Sequence, residues 1–151
     1  MVERDQPVLV VGGTGALGRR VIGALRARGK PVRALVRPGS DAGVLEGEGV
    51  EVVRGDMMDP ASLGPAFDGV DALVTSAVGY TRHRKGDTSR TDTVGNRNLA
   101  DAALNEGIRR FVFTGILNAH EAPDVPHFWH KKLAEDYLEQ RGVPFVSLRP
   151  G

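Results

Sequence analysis

The chain of 151 residues contains no cysteine, which excludes a disulfide framework and thiolate chemistry. It also lacks an excess of charge of one sign: the formal net charge is +1, whereas nucleic-acid-binding domains are usually strongly basic. The first residues, Met1 to Asp5, include charged side chains and precede no long apolar segment. No signal peptide or membrane span is therefore indicated. No G-x-x-x-x-G-K-[ST] phosphate loop is present. These absences predict a cytoplasmic domain that binds neither nucleic acid nor membrane.

A glycine-rich turn follows an apolar run near the start of the chain, in the segment VLVVGGTGALG from Val8 to Gly18. A short apolar run is typical of a buried parallel strand, and a helical pattern begins at Ala16. Glycines in such a turn bend the chain, admit a pyrophosphate to the backbone and pack the helix on the sheet. We therefore predict a dinucleotide site at this turn, with contacts from Gly12, Thr14, Gly15, Ala16, Leu17 and Gly18.

Further apolar runs alternate with helical patterns along the chain, as in a parallel sheet covered on both faces. The length is enough for one core, so residues 1–151 are predicted to form a single domain. Together the runs predict an α/β, doubly wound Rossmann sheet of about six strands in the order 3-2-1-4-5-6. The strands after the first are predicted at Val32 to Val36, Val50 to Val53, Ala72 to Ser76, Arg110 to Thr114 and Pro144 to Leu148.

The spacing of apolar residues also predicts which face of each helix is buried. In the first helix the predicted buried stripe is Leu17, Val21, Ala24 and Leu25. In the last helix it is Leu133, Ala134, Tyr137 and Leu138. The helix before the fifth strand is predicted to begin among three capping residues, Thr91, Asp92 and Thr93.

The chain resembles the atypical short-chain dehydrogenase/reductases, and in particular their NmrA-like branch. The matching segments, in chain order, are GGTGALG, LVRPGS, VRGDMMDPASL, VGNRNLADAALNEGIRRFVFTG, HKKLAEDYL and the closing LRPG. The resemblance implies an NAD(P)-binding Rossmann domain. In similar proteins LRPG leads into the substrate-binding region, so the chain is expected to lack that C-terminal part.

The cofactor preference is expected to be set at the end of the second strand. An acidic residue there would bind the ribose 2′-hydroxyl of NAD, whereas a cation would meet the 2′-phosphate of NADP. Arg37 stands at this position, and its guanidinium can bind phosphate in bidentate fashion. Asp41 lies too far into the loop to accept from the ribose. We therefore predict a preference for NADP(H) over NAD(H).

By resemblance, the residues after the third and fourth strands lie along the cofactor. Asp56 with Met57 would contact the adenine, although Asp56 is equally interpreted as a turn or cap residue. Ser76, Ala77 and Val78 would lie along the cofactor after the fourth strand.

The catalytic pattern departs from that of the family. Short-chain dehydrogenases typically carry a serine after the fifth strand and a YxxxK pair. Here Lys131 matches the lysine, His127 stands at the tyrosine position, and the serine position falls at Gly115 or Ile116. Lys131 is interpreted as a cofactor-orienting residue, the alternative being a solvated lysine at a helix start. His127 is a substitute acid or else a loop or cap histidine.

Other candidates carry less chemistry. His127 and His130 are three residues apart, but no third ligand accompanies them, so no metal site is predicted. Tyr80 is a second hydroxyl beyond strand four, and the basic residues Arg82 to Lys85 and Arg90 are interpreted as a solvated loop or as a surface that attracts anions. An exposed sheet edge favours a homodimer or a protein partner.

These features predict an NADP(H)-dependent oxidoreductase that transfers hydride to or from a small carbonyl, alcohol or conjugated substrate. The alternative is a non-catalytic NADP(H) sensor, as some NmrA-like regulators are. Loss of the serine and tyrosine favours the sensor, whereas Lys131 favours the enzyme. Nucleotide-sugar epimerisation is a weaker third interpretation, because relatives of that type usually need the tyrosine.

Overall fold

The structure, a computed structural model, describes residues 5–79 and 87–150. Its centre is a parallel sheet of six strands in the order β3-β2-β1-β4-β5-β6, which confirms the predicted topology. Each strand forms where a short apolar run was expected, and the bounds differ by one residue at four ends. The strands are β1 (Val8–Val11), β2 (Val32–Val36), β3 (Glu51–Arg54), β4 (Ala72–Thr75), β5 (Arg110–Thr114) and β6 (Phe145–Leu148).

Helices connect the strands. The α-helices are α1 (Ala16–Ala27), α2 (Gly43–Gly47), α3 (Gly64–Phe67), α4 (Asn96–Asn105) and α5 (Pro126–Arg141). Short 3-10 helices cover Pro60–Ser62 and Ala119–Glu121, and a π-helical segment at Ser89–Gly95 runs directly into α4. In the part of the chain that the structure describes, no helix combines the length and hydropathy needed to cross a bilayer.

The sheet is buried on both faces, because successive residues of β1 enter two different cores. Val10 packs with Ile22 of α1 and Ala34 of β2 on one face. Leu9 and Val11 belong to the larger core on the other face, with residues of α3, α4 and α5. In a parallel sheet the carboxyl ends of all six strands lie at the same edge, and ligands bind at this edge in folds of this type.

The predicted buried face of α1 is wrong in part. Gly18 and Ile22 are the buried residues of this helix, whereas Leu17 is half exposed. Gly18 packs closely on the turn after β1, so the face of α1 that carries Gly18 lies against the sheet. Leu17 therefore points away from the sheet.

The predicted buried face of α5 also needs correction. The buried residues are Lys131, Ala134 and Leu138, and Leu133 is only partly buried. The buried face differs from the predicted one because Lys131 points inward, where its ammonium lies beside a buried carboxylate of a neighbouring helix.

Candidate functional site

Two cavities lie side by side at the carboxyl edge of the sheet. The first has a volume of about 460 Å³ and is lined by the turn after β1 and by the ends of β2, β3 and β4. The second, of about 590 Å³, is lined by the first turn of α1, the end of β5 and the start of α5. They share Gly12, Gly15, Ser76 and Val78. This place, between β1 and β4, is where the strand order reverses, the usual ligand site of a doubly wound sheet.

The glycine turn is shaped by close contact between backbone atoms. A Cβ atom on Gly18 would lie closer than 3.0 Å to the carbonyl oxygen of Gly12, which real Cβ atoms do not do. The absent side chain therefore lets α1 begin directly against β1. Gly15 precedes the helix, and neither a side-chain cap nor an acidic residue covers the first turn. Its amide groups and the positive end of the helix dipole fit the pyrophosphate of a dinucleotide.

Arg37 stands on a tight turn at the end of β2. The turn Arg37 to Ser40 is closed by a hydrogen bond from the Ser40 amide to the Arg37 carbonyl oxygen at 3.1 Å. Pro38 followed by Gly39, with φ of +79°, is the pattern of a type II turn. Arg37 is exposed, and both Arg37 and Ser40 line the first cavity.

Asp56 and Met57 both line the first cavity. The Asp56 carboxylate also accepts a hydrogen bond from the Met58 amide at 2.9 Å, and the Asp56 amide donates to the Ser62 hydroxyl at 2.9 Å. The two interpretations of Asp56 from the sequence are therefore compatible, because it shapes its turn and faces the cavity. Met57 is buried, and its carbonyl oxygen accepts from the Asn98 side chain at 2.9 Å.

The segment after β4 separates the two cavities. Ser76 and Val78 line both of them, and Ala77 lines the first. The Ser76 amide donates to the Val11 carbonyl oxygen at 3.0 Å, which joins this segment to the end of β1. The Gly79 amide donates to the Asp92 carboxylate at 3.1 Å. Residues 76 to 79 are thus held at both ends.

Lys131 lines the second cavity and is 3% exposed, so it is not a solvated lysine. Its Nζ donates to the Ala77 carbonyl oxygen at 3.3 Å and lies 3.4 Å from Oδ1 of Asp92. The ammonium also stands 4.8 Å from the centre of the Phe113 ring. Burial lowers the pKa of Lys131, although the attraction of Asp92 opposes this shift.

Asp92 is fully buried, and burial raises the pKa of its carboxyl group against the opposing effect of Lys131. Among the described residues its Oδ1 accepts no hydrogen bond of good geometry, and the ammonium at 3.4 Å is its charge partner. Sequence reasoning treated Asp92 as a helix cap, with Thr91 and Thr93, and this was wrong. The three residues lie inside the π-helical segment, where the Asp92 carboxylate accepts a hydrogen bond from the Gly79 amide and lies beside Lys131.

The two histidines of α5 face different surroundings. His127 lines the second cavity, and its ring packs edge-on against Phe128 with centroids 4.8 Å apart. The Nδ1 atom of His130 is 2.8 Å from the Thr88 hydroxyl oxygen. No group of three or more metal-ligating side chains occurs within residues 5–79 and 87–150.

Gly115 and Ile116, the two candidate serine positions, also line the second cavity. A Cβ atom on Gly115 would lie closer than 3.0 Å to Oε1 of Glu135. Glu135 accepts hydrogen bonds from the Ser147 hydroxyl and from the Arg149 guanidinium. The absent side chain at Gly115 therefore makes room for a polar cluster that joins α5 to β6.

Two candidates from the sequence, Tyr80 and the basic run Arg82 to Lys85, lie outside the described residues. Arg90, the last member of the basic group, is exposed and lines the first cavity. The cations that border the first cavity are therefore Arg37 and Arg90 among the described residues.

The sheet order, the glycine turn and the paired cavities define a Rossmann-fold protein of the short-chain dehydrogenase/reductase type. Within that class the chain belongs to the NmrA-like family, which matches residues 4–149.

The chain is similar to proteins with different functions. The chain is 36% identical over 143 residues to the photosystem II assembly factor Ycf39 of Synechocystis, covering 94% of this chain and 43% of that protein. It is 33% identical over 149 residues to an NAD(P)H azoreductase of Xenophilus azovorans, covering 95% and 47%. The triphenylmethane reductase of Citrobacter, solved in complex with NADP(H), superposes with a TM-score of 0.77 at 30% identity, covering 95% of this chain and 48% of that one. The chain thus spans less than half the length of these relatives.

Proposed function

We propose that this chain forms the cofactor-binding part of an NADP(H)-dependent oxidoreductase that acts on a small carbonyl, alcohol or conjugated substrate. The observation that carries the proposal is the pair of adjoining cavities, one lined by the exposed Arg37 and the other by the buried Lys131. A dinucleotide has two halves joined by a pyrophosphate, and the glycine turn lies where the two cavities meet. The NADP(H) complex of the Citrobacter reductase supports this interpretation.

The residues that would hold the cofactor follow from the lining of the cavities. The amide groups at the start of α1 would bind the pyrophosphate, and Arg37 would bind the 2′-phosphate. Asp56 and Met57 would border the adenine, and Ser76 to Val78 would lie along the middle of the cofactor. The nicotinamide, when bound, supplies the hydride chemistry.

Lys131 and His127 would then have separate tasks. Lys131 donates to the Ala77 carbonyl oxygen and so fixes the segment between the cavities, and it also lines the second cavity. His127 lies one helical turn earlier and lines the same cavity. An imidazole ring can both donate and accept a proton, so His127 would exchange a proton with the substrate oxygen or nitrogen.

Calorimetric titration with NADPH and NADH tests the cofactor assignment. We expect saturable binding of both and a dissociation constant at least about tenfold lower for NADPH, because the Arg37 guanidinium makes charge-assisted hydrogen bonds only with a 2′-phosphate. Equal or tighter binding of NADH would contradict the NADP(H) preference. Absence of binding to either would contradict the cofactor site as a whole.

A non-catalytic NADP(H) sensor is the second candidate. Gly115, Ile116 and His127 stand where the family's serine and tyrosine are expected, so the usual proton donor is missing. The relative named as an assembly factor supports this candidate. Turnover separates the two: an enzyme consumes NADPH with a carbonyl or azo substrate, and His127→Gln lowers the rate about a hundredfold or more without changing NADPH affinity. A sensor binds NADPH but leaves it unreacted.

The proposal also places the protein in the cytoplasm and includes self-association or a protein partner. The outer strand β6 supports association, because Val146 and Leu148 are about half exposed on it. Gel filtration at several concentrations and fractionation of cells that make the protein check these two points. A monomer at all concentrations would argue against association through β6.

A further inference from the structure

Arg54, the last residue of β3, lies beside the turn that carries Arg37. The β2–β3 register pairs Val36 with Arg54, so the Arg54 side chain starts next to the residue that precedes the turn. Its Nη1 donates to the carbonyl oxygen of Ser40 at 2.5 Å and to that of Arg37 at 3.3 Å. One guanidinium group therefore binds both ends of the Arg37 to Ser40 turn.

This contact matters because the turn has little other support. Arg37, Pro38 and Gly39 are exposed, and Ser40 is only partly buried. The hydrogen bond from the Ser40 amide closes the turn from within, whereas Arg54 joins it to the sheet from outside. An exposed arginine loses side-chain entropy when it binds a ligand, so a fixed backbone beneath it lowers the cost of binding.

We propose that Arg54 is a positioning residue for cofactor specificity: it braces the Arg37 to Ser40 turn so that Arg37 can receive a phosphate monoester on the adenine ribose. The inference rests on the proposed NADP(H) preference and deepens it. Arg54 acts through the two turn carbonyls and does not itself line the first cavity. Its effect is therefore expected on ligands that carry the 2′-phosphate and not on those that lack it.

The length of the arginine side chain matters to this role, because both hydrogen bonds to the turn come from Nη1 at its end. The ammonium of a lysine lies one bond closer to its own backbone than this atom does. A lysine at position 54 keeps the positive charge near the site, but its ammonium ends short of the two carbonyl oxygens. The conservative variant Arg54→Lys therefore separates bracing of the turn from simple attraction of the phosphate.

The test uses this chain and two adenine nucleotides, adenosine 2′,5′-bisphosphate and adenosine 5′-monophosphate, titrated by calorimetry. We expect Arg54→Gln and Arg54→Lys each to weaken binding of the bisphosphate about tenfold, and to change binding of the monophosphate less than about twofold. Hydrogen exchange of the Ser40 amide should become faster in both variants, because the turn opens more often.

Arg26→Gln is the matched control. The Arg26 side chain is 43% exposed and lies 4.0 Å from Glu48, while that of Arg54 is 44% exposed and lies 3.9 Å from Glu46. Arg26 lines neither cavity, so its loss removes the same charge without touching the turn. We expect both nucleotides to bind this variant as they bind the wild-type chain.

Each contrary result has its own meaning. Wild-type affinity for the bisphosphate in Arg54→Lys would overturn bracing in favour of charge alone. Equal weakening of both nucleotides would overturn the role in specificity. If the wild-type chain binds the two nucleotides equally, the NADP(H) preference and the inference both fall. A clear wild-type preference that survives in Arg54→Gln overturns the inference alone.

Discussion

The two cavities are built in different ways. The first is formed mainly by turns that directly follow four neighbouring strands, and its cations, Arg37 and Arg90 among the described residues, are exposed. The second brings together α1, β5 and α5, and its cation, Lys131, is buried beside a carboxylate from the π-helical segment. The first cavity, where phosphate is proposed to bind, thus depends on local turns. The second cavity, where the reaction is proposed to occur, depends on packing between elements that are far apart in the sequence.

The largest effect is expected from a substitution at the buried ion pair beside the second cavity. Lys131→Met leaves Asp92 buried without its charge partner, and loss of one member of a buried pair costs about 3–5 kcal/mol of unfolding free energy. Urea denaturation measures this. Lys132→Met is the matched control, because the Lys132–Asp136 pair is partly exposed and is worth about 0–1 kcal/mol. Equal stability of the two variants would show that the buried pair does not support the fold.

The next largest effect is expected from a substitution in the first cavity that leaves the second cavity unchanged. Arg37→Gln should weaken NADPH binding by about 1.5–3 kcal/mol, the value of hydrogen bonds to charged groups, and leave NADH binding unchanged. Calorimetry on both cofactors measures the difference. Arg20→Gln, an exposed arginine of α1 that lines neither cavity, serves as the control. A parallel loss for both cofactors would mean that Arg37 does not distinguish them.

A change at the boundary should disturb both cavities. Gly18→Ala forces a Cβ against the Gly12 carbonyl oxygen, and overpacking of this kind costs about 1–3 kcal/mol of unfolding free energy. Affinity for either cofactor should fall as well. Gly23→Ala in the same helix meets no atom within 4 Å and should instead add about 0.5–1 kcal/mol. The prediction fails if both alanine variants are stabilised.

The pH dependence of stability sharpens the contrast between buried and exposed charges. The pKa of Asp92 is raised above 3.8 in the folded chain, so the unfolded chain releases this proton first and stability falls as pH rises from 3.8 to the folded pKa. The pKa of Lys131 is lowered, so stability is regained as pH rises from its folded pKa to 10.5. Each pKa unit contributes about 1.4 kcal/mol.

The measurement compares the wild-type chain with the double variant Asp92→Asn, Lys131→Met across this pH range. The double variant lacks both groups, so the difference in unfolding free energy isolates the pair from other titrating residues. A difference that stays constant through the acidic and the alkaline windows would contradict the pKa directions.

The strands, their order and the glycine turn could be predicted from the sequence because their signals are local. The apolar runs mark β1 to β6, and the spacing of Gly12, Gly15 and Gly18 marks the turn. The place of Arg37 beside the first cavity could be predicted because the end of the second strand has a defined position in a doubly wound sheet. The chain's membership of the NmrA-like family confirmed the resemblance on which the remaining positions depended.

Asp92 and the true buried faces of α1 and α5 could not be predicted in the same way. Lysine next to lysine at the start of a helix is usually solvated, and nothing local shows that Lys131 meets a carboxylate 39 positions earlier. In a π-helix the hydrogen bonds run from residue i to residue i+5, so rules based on the α-helical period do not place Asp92 correctly. These errors share one cause, because tertiary contacts decided which side of each helix faces inward.

Gly115 ties the departure from the family pattern to the packing of α5. It is one of two positions where the family's serine is expected, and a Cβ atom there would lie against Oε1 of Glu135. That oxygen is the far end of a flexible side chain, so Glu135 makes room by moving away from its present bonds with Ser147 and Arg149. A serine at this position would therefore be accompanied by a rearrangement between α5 and β6.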